Sequence, residues 1–216
     1  MDNRRFWNER YESLPALGSG PGSRAHSAWI KRRLIERYIA ERGVRSILDF
    51  GCGDMFWFPA TASGIAYTGV DISDVIIASN RQRLPHCEFL HHDIAAAALQ
   101  RNADLVTCFD VLIHQLEPRQ FRSMLANVLA STKHLALISY ATPPAESSPA
   151  TTDAPENVLF EQRELQLFLE NAEFPRAETV YHGELPAAIR DIAPHARIEP
   201  VGAYFRQQTI YEVALP

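Results

Sequence analysis

The chain has 216 residues, 46% of them hydrophobic and 22% charged, with a formal net charge of -5 at pH 7. These values fit a globular protein that buries one substantial core. They exclude a membrane-spanning chain, because no run approaches the roughly 18 consecutive apolar residues a bilayer helix needs. They also argue against a non-specific nucleic-acid binder, whose affinity comes mainly from neutralised phosphates.

Cys52, Cys87 and Cys108 are odd in number, widely spaced and in no C-x-x-C pair, so neither a disulfide framework nor a thiolate zinc site is expected. The opening Met1-Asp2-Asn3-Arg4-Arg5-Phe6-Trp7 runs on to Glu9 and Glu12 rather than into an apolar signal core, which predicts a cytoplasmic protein. Charge is unevenly spread. Residues 1–45 hold ten Lys or Arg against five Asp or Glu, a balance of +5, and the remainder carries -10. Within that basic front, Lys31, Arg32, Arg33, Arg37 and Arg42 are expected to form the solvated face of an amphipathic helix.

In chain order, Trp7 and Tyr11 stand four apart on one side of a short helix. Gly18-Ser19-Gly20-Pro21-Gly22-Ser23 reads as a flexible loop, and Trp29, Leu34, Tyr38 and Ile39 recur at helical spacing within 27–42 before a stop at Gly43. An alternation follows. Strands are predicted over 46–50, 67–71, 87–91, 104–109 and 134–140, with helices over 54–62, 73–84, 94–101 and 118–131, the last entered by Pro118. Strict alternation implies right-handed crossovers and a parallel sheet covered on both faces. Residues 141–157, with Pro143, Pro144, Pro149 and Pro155, leave the carboxyl edge of the sheet as a lid or an idle linker. Helices near 161–171 and 185–192 precede a hairpin of 198–205 and 209–215 turning at Arg206-Gln207-Gln208.

The expectation is therefore an α/β, doubly wound, seven-stranded, mostly parallel sheet with a C-terminal antiparallel hairpin and helices on both faces. Residues 1–44 form a helical cap on it, and residues 45–216 form the ligand-binding domain.

Gly51 and Gly53, directly after the first strand, let the backbone approach a ligand at the carboxyl edge. The dinucleotide fingerprint G-x-G-x-x-G needs a further glycine at 56, where this chain has Phe56. Asp49 before the turn and Asp54 after it oppose a pyrophosphate, whereas an acidic cradle suits a ligand carrying a sulfonium and an ammonium. Asp71 lies 22 residues beyond Asp49, the spacing at which a carboxylate after the second strand reaches ribose hydroxyls. Asp93 can accept from an exocyclic adenine amine, with Ile72 and Ile94 as apolar cover.

Together, Ile47-Leu48-Asp49-Phe50-Gly51-Cys52-Gly53-Asp54, Gly69-Val70-Asp71-Ile72-Ser73, His92-Asp93-Ile94 and Phe109-Asp110-Val111-Leu112-Ile113-His114 resemble the successive cofactor motifs of the class I S-adenosylmethionine-dependent methyltransferases, of Rossmann-like fold. The resemblance covers residues 45–140 and extends to the terminal hairpin. It implies that Asp49, Gly51 and Gly53 surround the methionine moiety, with Cys52 a small residue of the same loop. It implies further that Asp71 holds the ribose, that Asp93 and Ile94 hold the adenine, and that Phe109 and Asp110 lie beside the methyl group. That family commonly has a third glycine where Met55 stands here.

Methyl transfer to an activated carbon needs alignment and, for a hydroxyl acceptor, a destination for a proton. His114 and Asp110 are the candidate catalytic pair, His114 alternatively serving as a packing or capping residue. No metal is expected, because adjacent strand residues point to opposite faces and His91-His92-Asp93 cannot converge on one ion. Base-modifying enzymes of nucleic acids resemble one another in an Asn or Asp followed by Pro-Pro and an aromatic, which Asp110-Val111-Leu112-Ile113 lacks. A small-molecule or sugar-like acceptor fits better, an anionic one if the basic helix with Trp7 and Tyr11 closes over the cofactor. The competing readings are an RNA or protein methyltransferase using the basic front, a non-catalytic S-adenosylmethionine-binding module, and an NAD(P)-dependent reductase. No oligomeric state is expected from the residues.

Overall fold

The computed structural model describes residues 2–58, 64–141, 154–171, 173, 175–204 and 208–216. Seven strands form one sheet: β1 (Ser46–Phe50), β2 (Ala66–Asp71), β3 (Glu88–His91), β4 (Leu105–Cys108), β5 (Leu135–Ala141), β6 (Arg197–Tyr204) and β7 (Gln208–Ala214). Their order is β3-β2-β1-β4-β5-β7-β6. The first five run parallel, and β7 pairs antiparallel with both β5 and β6. The helices are α1 (Asn3–Ser13), α2 (Ala25–Arg42), α3 (Asp74–Arg83), α4 (Pro118–Ala130), α5 (Glu156–Asn171) and α6 (Leu185–Ile192). The expected doubly wound architecture is the observed one. No described helix is long and apolar enough to cross a membrane.

Strand alternation divides the core into two layers. Ile47, Leu105 and Leu137 join Ile35 and Tyr38 of α2 and Ile77 of α3 on one face. Their neighbours Leu48, Val106 and Ile138 join Leu125 and Val128 of α4 and Ile189 of α6 on the other. The central strands are thus apolar on both sides, as a parallel sheet requires.

Two predicted helices do not appear among the described residues. Over 54–58 the backbone makes turns, and the reason is local: Met55 sits in the left-handed region at φ 60, which a continuing right-handed helix does not admit. The remainder of that predicted helix, 59–62, lies outside the described residues. Over 94–101 the chain also turns rather than winding into a helix. A segment this short forms a marginal helix on its own, and here α4 supplies the partners that a helix would have supplied. Ser123 Oγ donates to the Ala95 carbonyl at 2.8 Å, Asn127 Nδ2 to the Ile94 carbonyl at 2.6 Å and Ser131 Oγ to the Leu99 carbonyl at 3.3 Å. Ser123 and Asn127 lie four residues apart on one face of α4, and Ser131, four further on, is its C-terminal cap.

The basic helix also departs from expectation. Arg33, Arg37 and Arg42 are exposed, but Lys31 is 1% exposed and belongs to the interior. The 18–23 segment is ordered by Gly20–Ser23 and Gly18–Leu14 backbone bonds around a 3-10 turn, Pro21–Ser23. Of the expected 141–157 loop, Ala141 belongs to β5 and Glu156 opens α5, while 142–153 lie outside the described residues. The expected hairpin turn at 206–208 falls there too for 206 and 207, and Gln208 begins β7.

Asn127→Ala removes one hydrogen bond to a half-buried carbonyl and is expected to cost about 1 kcal/mol, lowering Tm by roughly 2–4 °C. A thermal melt against the wild type checks it.

Candidate functional site

The carboxyl ends of β1, β2, β3 and β4 open onto a cavity of about 400 Å³. It lies where the order of strands reverses, between β1 and β4, the usual ligand crevice of doubly wound sheets. Gly51, Gly53, Asp71, Ile72, Asp93 and Ile94 line one side, and Phe109, Asp110 and His114 the middle. Trp7, Arg10, Tyr11 and the 19–23 turn close it from the N-terminal segment, and Arg176 to Tyr181 from the segment after α5. Ten of the twelve residues expected at the site therefore border one space; Asp49 and Cys52 do not.

The two glycines are fixed by protein atoms. Gly51 and Gly53 have φ of 74 and 54, where a side chain is strained. A β-carbon on Gly51 would lie 2.1 Å from Val111 Cγ2, and one on Gly53 2.2 Å from Ser19 Oγ. Met55 holds the third left-handed position, at about 1 kcal/mol of backbone cost, and its sulfur lies 2.7 Å from the Tyr67 hydroxyl oxygen, whose one proton goes to Asp49.

The two carboxylates flanking the loop are turned away from the cavity. Asp49 is 1% exposed and accepts hydrogen bonds from the Tyr67 hydroxyl at 2.6 Å and the Thr107 hydroxyl at 2.7 Å. Burial pushes its carboxyl up to about 6, against the opposing pull of those two donors. Burial alone would likewise raise Asp54, but the Arg24 guanidinium, paired with it at 2.5 Å, and the Ser19 and Phe56 amides hold it below the usual carboxylate value. Cys52 is buried behind the loop, its thiol pushed well up by burial and then by Asp71 and Asp49. The acidic cradle expected from Asp49 and Asp54 is therefore not what faces the cavity. The carboxylates that do are Asp71, Asp93 and Asp110.

Asp71 accepts from the Gly53 amide at 3.0 Å and the Ser73 amide at 2.9 Å, one bond to each oxygen. Each oxygen keeps a second lone pair. Burial raises its carboxyl, and those amides oppose the shift. Asp93 is exposed and accepts from the Ala95 and Ala96 amides through Oδ1. The Tyr11 hydroxyl shares a 3.1 Å hydrogen bond with Ser19 Oγ, which in turn accepts from the Asp54 amide at 2.9 Å, so α1 is tied to the glycine loop through Ser19.

Asp110 is held from every side. Its amide donates to Ser139 Oγ at 2.7 Å, Lys31 Nζ approaches Oδ2 at 2.5 Å, and the Tyr204 hydroxyl donates to Oδ1 at 2.5 Å. Burial, then the Asp110 carboxylate, drives the Tyr204 phenol well above its ordinary value, so it stays protonated and donates. Lys31 also donates to the Gly22 carbonyl at 2.6 Å. Neither Lys31 nor Tyr204 was expected at the site. A lysine among arginines on an amphipathic helix reads as solvated, and only its position in the second turn of α2, on the side shared by Ser27, Leu34 and Ile35, gave a signal of burial.

His114 ends the short turn Leu112–His114. Its Nδ1 lies 2.8 Å from the Glu178 carbonyl, an acceptor only, so Nδ1 carries the proton. Desolvation lowers its pKa below the ordinary histidine value, against the pull of that carbonyl and Asp110. The ring is neutral at pH 7, with Nε2 as its lone-pair nitrogen. Val180 N to Ile113 O at 2.9 Å and His182 Nε2 to Gln115 O at 2.5 Å complete a three-bond lacing of 178–182 onto this turn. The basic helix contributes no lining side chain; among the described residues, Arg10 and Arg176 are the cavity's guanidinium groups. No cluster of three His, Cys, Asp or Glu suited to a metal occurs among the described residues.

Residues 47–134 match a family model described as a methyltransferase domain. No curated protein matches the chain. Among solved structures, a magnesium protoporphyrin IX methyltransferase from Synechocystis PCC 6803 with bound SAH superposes with a TM-score of 0.68 at 20% identity, covering 99% of this chain and 98% of that one. An amino pentose methyltransferase from Micromonospora echinaspora, with bound SAM, gives 0.65 at 14% identity over 95% and 96%. An N-methyltransferase from Bradyrhizobium japonicum in complex with SAH gives 0.62 at 13% over 96% and 99%.

Asp49, protonated more readily folded than unfolded, contributes stability that is fully present below pH ~4 and lost as pH rises through about 6. Asp49→Asn is expected to remove that component, so the difference in Tm between variant and wild type should shift in the variant's favour across pH 4–6.5 and be flat above it.

Proposed function

We propose, from the match of residues 47–134 to a methyltransferase-domain family model, that the chain is a class I S-adenosylmethionine-dependent methyltransferase that transfers a methyl group to a small-molecule or sugar-like acceptor at the cavity it encloses. The observation carrying this reading is that Asp71, with a spare lone pair on each oxygen, borders the same cavity as the glycine loop, Ile72 and Ile94, Phe109 and His114. That set suits the cofactor's parts in order. Asp71 takes the ribose hydroxyls, Asp93 and the two isoleucines the adenine, and Gly51 and Gly53 the backbone path of the methionine moiety. Tyr11 closes this side from α1. Asp49 and Cys52 act from behind the loop by shaping it.

The bound cofactor supplies the activated methyl carbon. The protein aligns the acceptor with it and excludes water by the 19–23 turn and the 176–181 segment. His114 Nε2 receives the acceptor's proton as the new bond forms, while the Glu178 carbonyl keeps the ring oriented through Nδ1. Asp110, with both oxygens already engaged, is a positioning residue and not the base. Arg10 and Arg176 suit an acceptor with an anionic group. The structural neighbours that act on a porphyrin and on an amino pentose support a small acceptor over a polymer, as does the absence of α2 arginines from the lining. Residues 1–44 serve as the cap.

S-adenosylhomocysteine at a hundred times its Kd is expected to stabilise the protein by about 2.7 kcal/mol, and NADPH to leave Tm unchanged. The reverse pattern would overturn the reading. Asp71→Ala should weaken S-adenosylhomocysteine binding by about 10- to 100-fold in calorimetry. His114→Gln should retain that binding and lose about 10²- to 10⁴-fold in kcat, measured on the acceptor returned by a radiolabelled methyl-transfer screen.

A further inference from the structure

Among the described residues, one buried polar atom at the cavity has no partner. Gln208 opens β7, is 7% exposed and lines the cavity, and its amide oxygen Oε1 makes no hydrogen bond. Ser27 Oγ and Gln162 Nε2 are also without partners, but neither residue borders the cavity. A buried amide oxygen that has left water without finding a donor is destabilising, and such groups are rare enough in folded proteins to call for a cause.

Its place in the sheet says which part of a ligand it meets. Gln208 pairs with Ala141 of β5 and with Tyr204 of β6, and directly opposed residues share a face. Tyr204 reaches the Asp110 carboxylate on that face, as does Ser139, two residues before Ala141. Gln208 thus stands at the end of the cavity anchored by Lys31 and Asp110. In the strand order it is three strands from β1 and four from β2, about 14 Å and 19 Å at ~4.8 Å per strand. The residues suited to ribose and adenine are at the opposite end. The terminal torsion of a glutamine is broad and soft, so a modest rotation presents the oxygen to the cavity.

We propose that Gln208 is an acceptor-recognition residue, its amide oxygen taking a hydrogen bond from an N–H or O–H group of the methyl acceptor. The acceptor is accordingly a small amine or polyol bearing a donor besides any anionic group. This rests on the methyl-transfer reading above and deepens it.

The test compares wild type with Gln208→Met, which keeps length and removes the amide. Relief of the unpartnered oxygen should raise Tm by a few degrees, and the S-adenosylhomocysteine Kd should stay within about twofold. A lowered Tm would make Gln208 a structural residue, and a tenfold weaker S-adenosylhomocysteine Kd would assign it to the cofactor; either overturns the proposal. On the amine or polyol returned by the transfer screen, the loss should fall on KM, at least tenfold, rather than on kcat, and an unchanged KM also overturns it. Failure of the wild type itself to bind S-adenosylhomocysteine would instead sink the methyl-transfer reading, so the two failures are distinguishable.

Discussion

Lys31 is an ammonium almost wholly removed from water, and an ammonium in that position needs an anion and further acceptors at hydrogen-bond distance. Asp110 and the Gly22 carbonyl supply them, with the faces of Phe109 and Tyr204 at 5.4 and 5.0 Å from Nζ. Losing either charge would leave the other buried alone, a cost of about 3–5 kcal/mol. Because Lys31 comes from α2, Asp110 from the end of β4, Gly22 from the first turn and Tyr204 from β6, this one pair brings four separate parts of the chain to a common point. The left-handed backbone at Asp110, φ 61, is a conformation that aspartate tolerates and that the surrounding bonds hold in place. The rim of the cavity is built outward from there.

The same economy governs the other carboxylates. Asp49 is satisfied by two hydroxyls with no cation in contact, and burial raises its proton affinity against their pull and that of the more distant Lys31. Asp54 is satisfied by Arg24 and closes the N-terminal segment against the glycine loop. Acidic residues that look equivalent along the chain are therefore divided between framework and cavity by what donates to them.

Much of the molecule was legible in the residues. Both strand alternation and the aspartates at strand ends follow from short-range rules, and Asp71, Asp93 and the glycines lie where spacing placed them. Elements that depend on long-range partners were not legible. The 94–101 segment has helical composition but gives its carbonyls to Ser123 and Asn127 of α4 and to Ser131, which caps it. Lys31 shares the period of solvated arginines, yet its neighbours in space are Asp110 and Tyr204. Asp49 and Asp54 read as ligands because nothing near them in sequence reveals Tyr67, Thr107 or Arg24. Gln208 read as a turn residue because its pairing with Ala141 joins β5 and β7, strands distant in the chain.

The glycine loop has a consequence for descent. Its glycines are required by Val111 and Ser19, side chains of the protein itself, so the fold by itself disfavours replacing them. A gene copy that drifted away from catalysis while keeping its fold would keep Gly51 and Gly53 under the same pressure. The motif is thus a record of architecture. Divergence of activity within such a lineage should be written first at positions whose neighbours leave them free to vary, along the wall that β5, β7 and the 176–181 segment present to the acceptor.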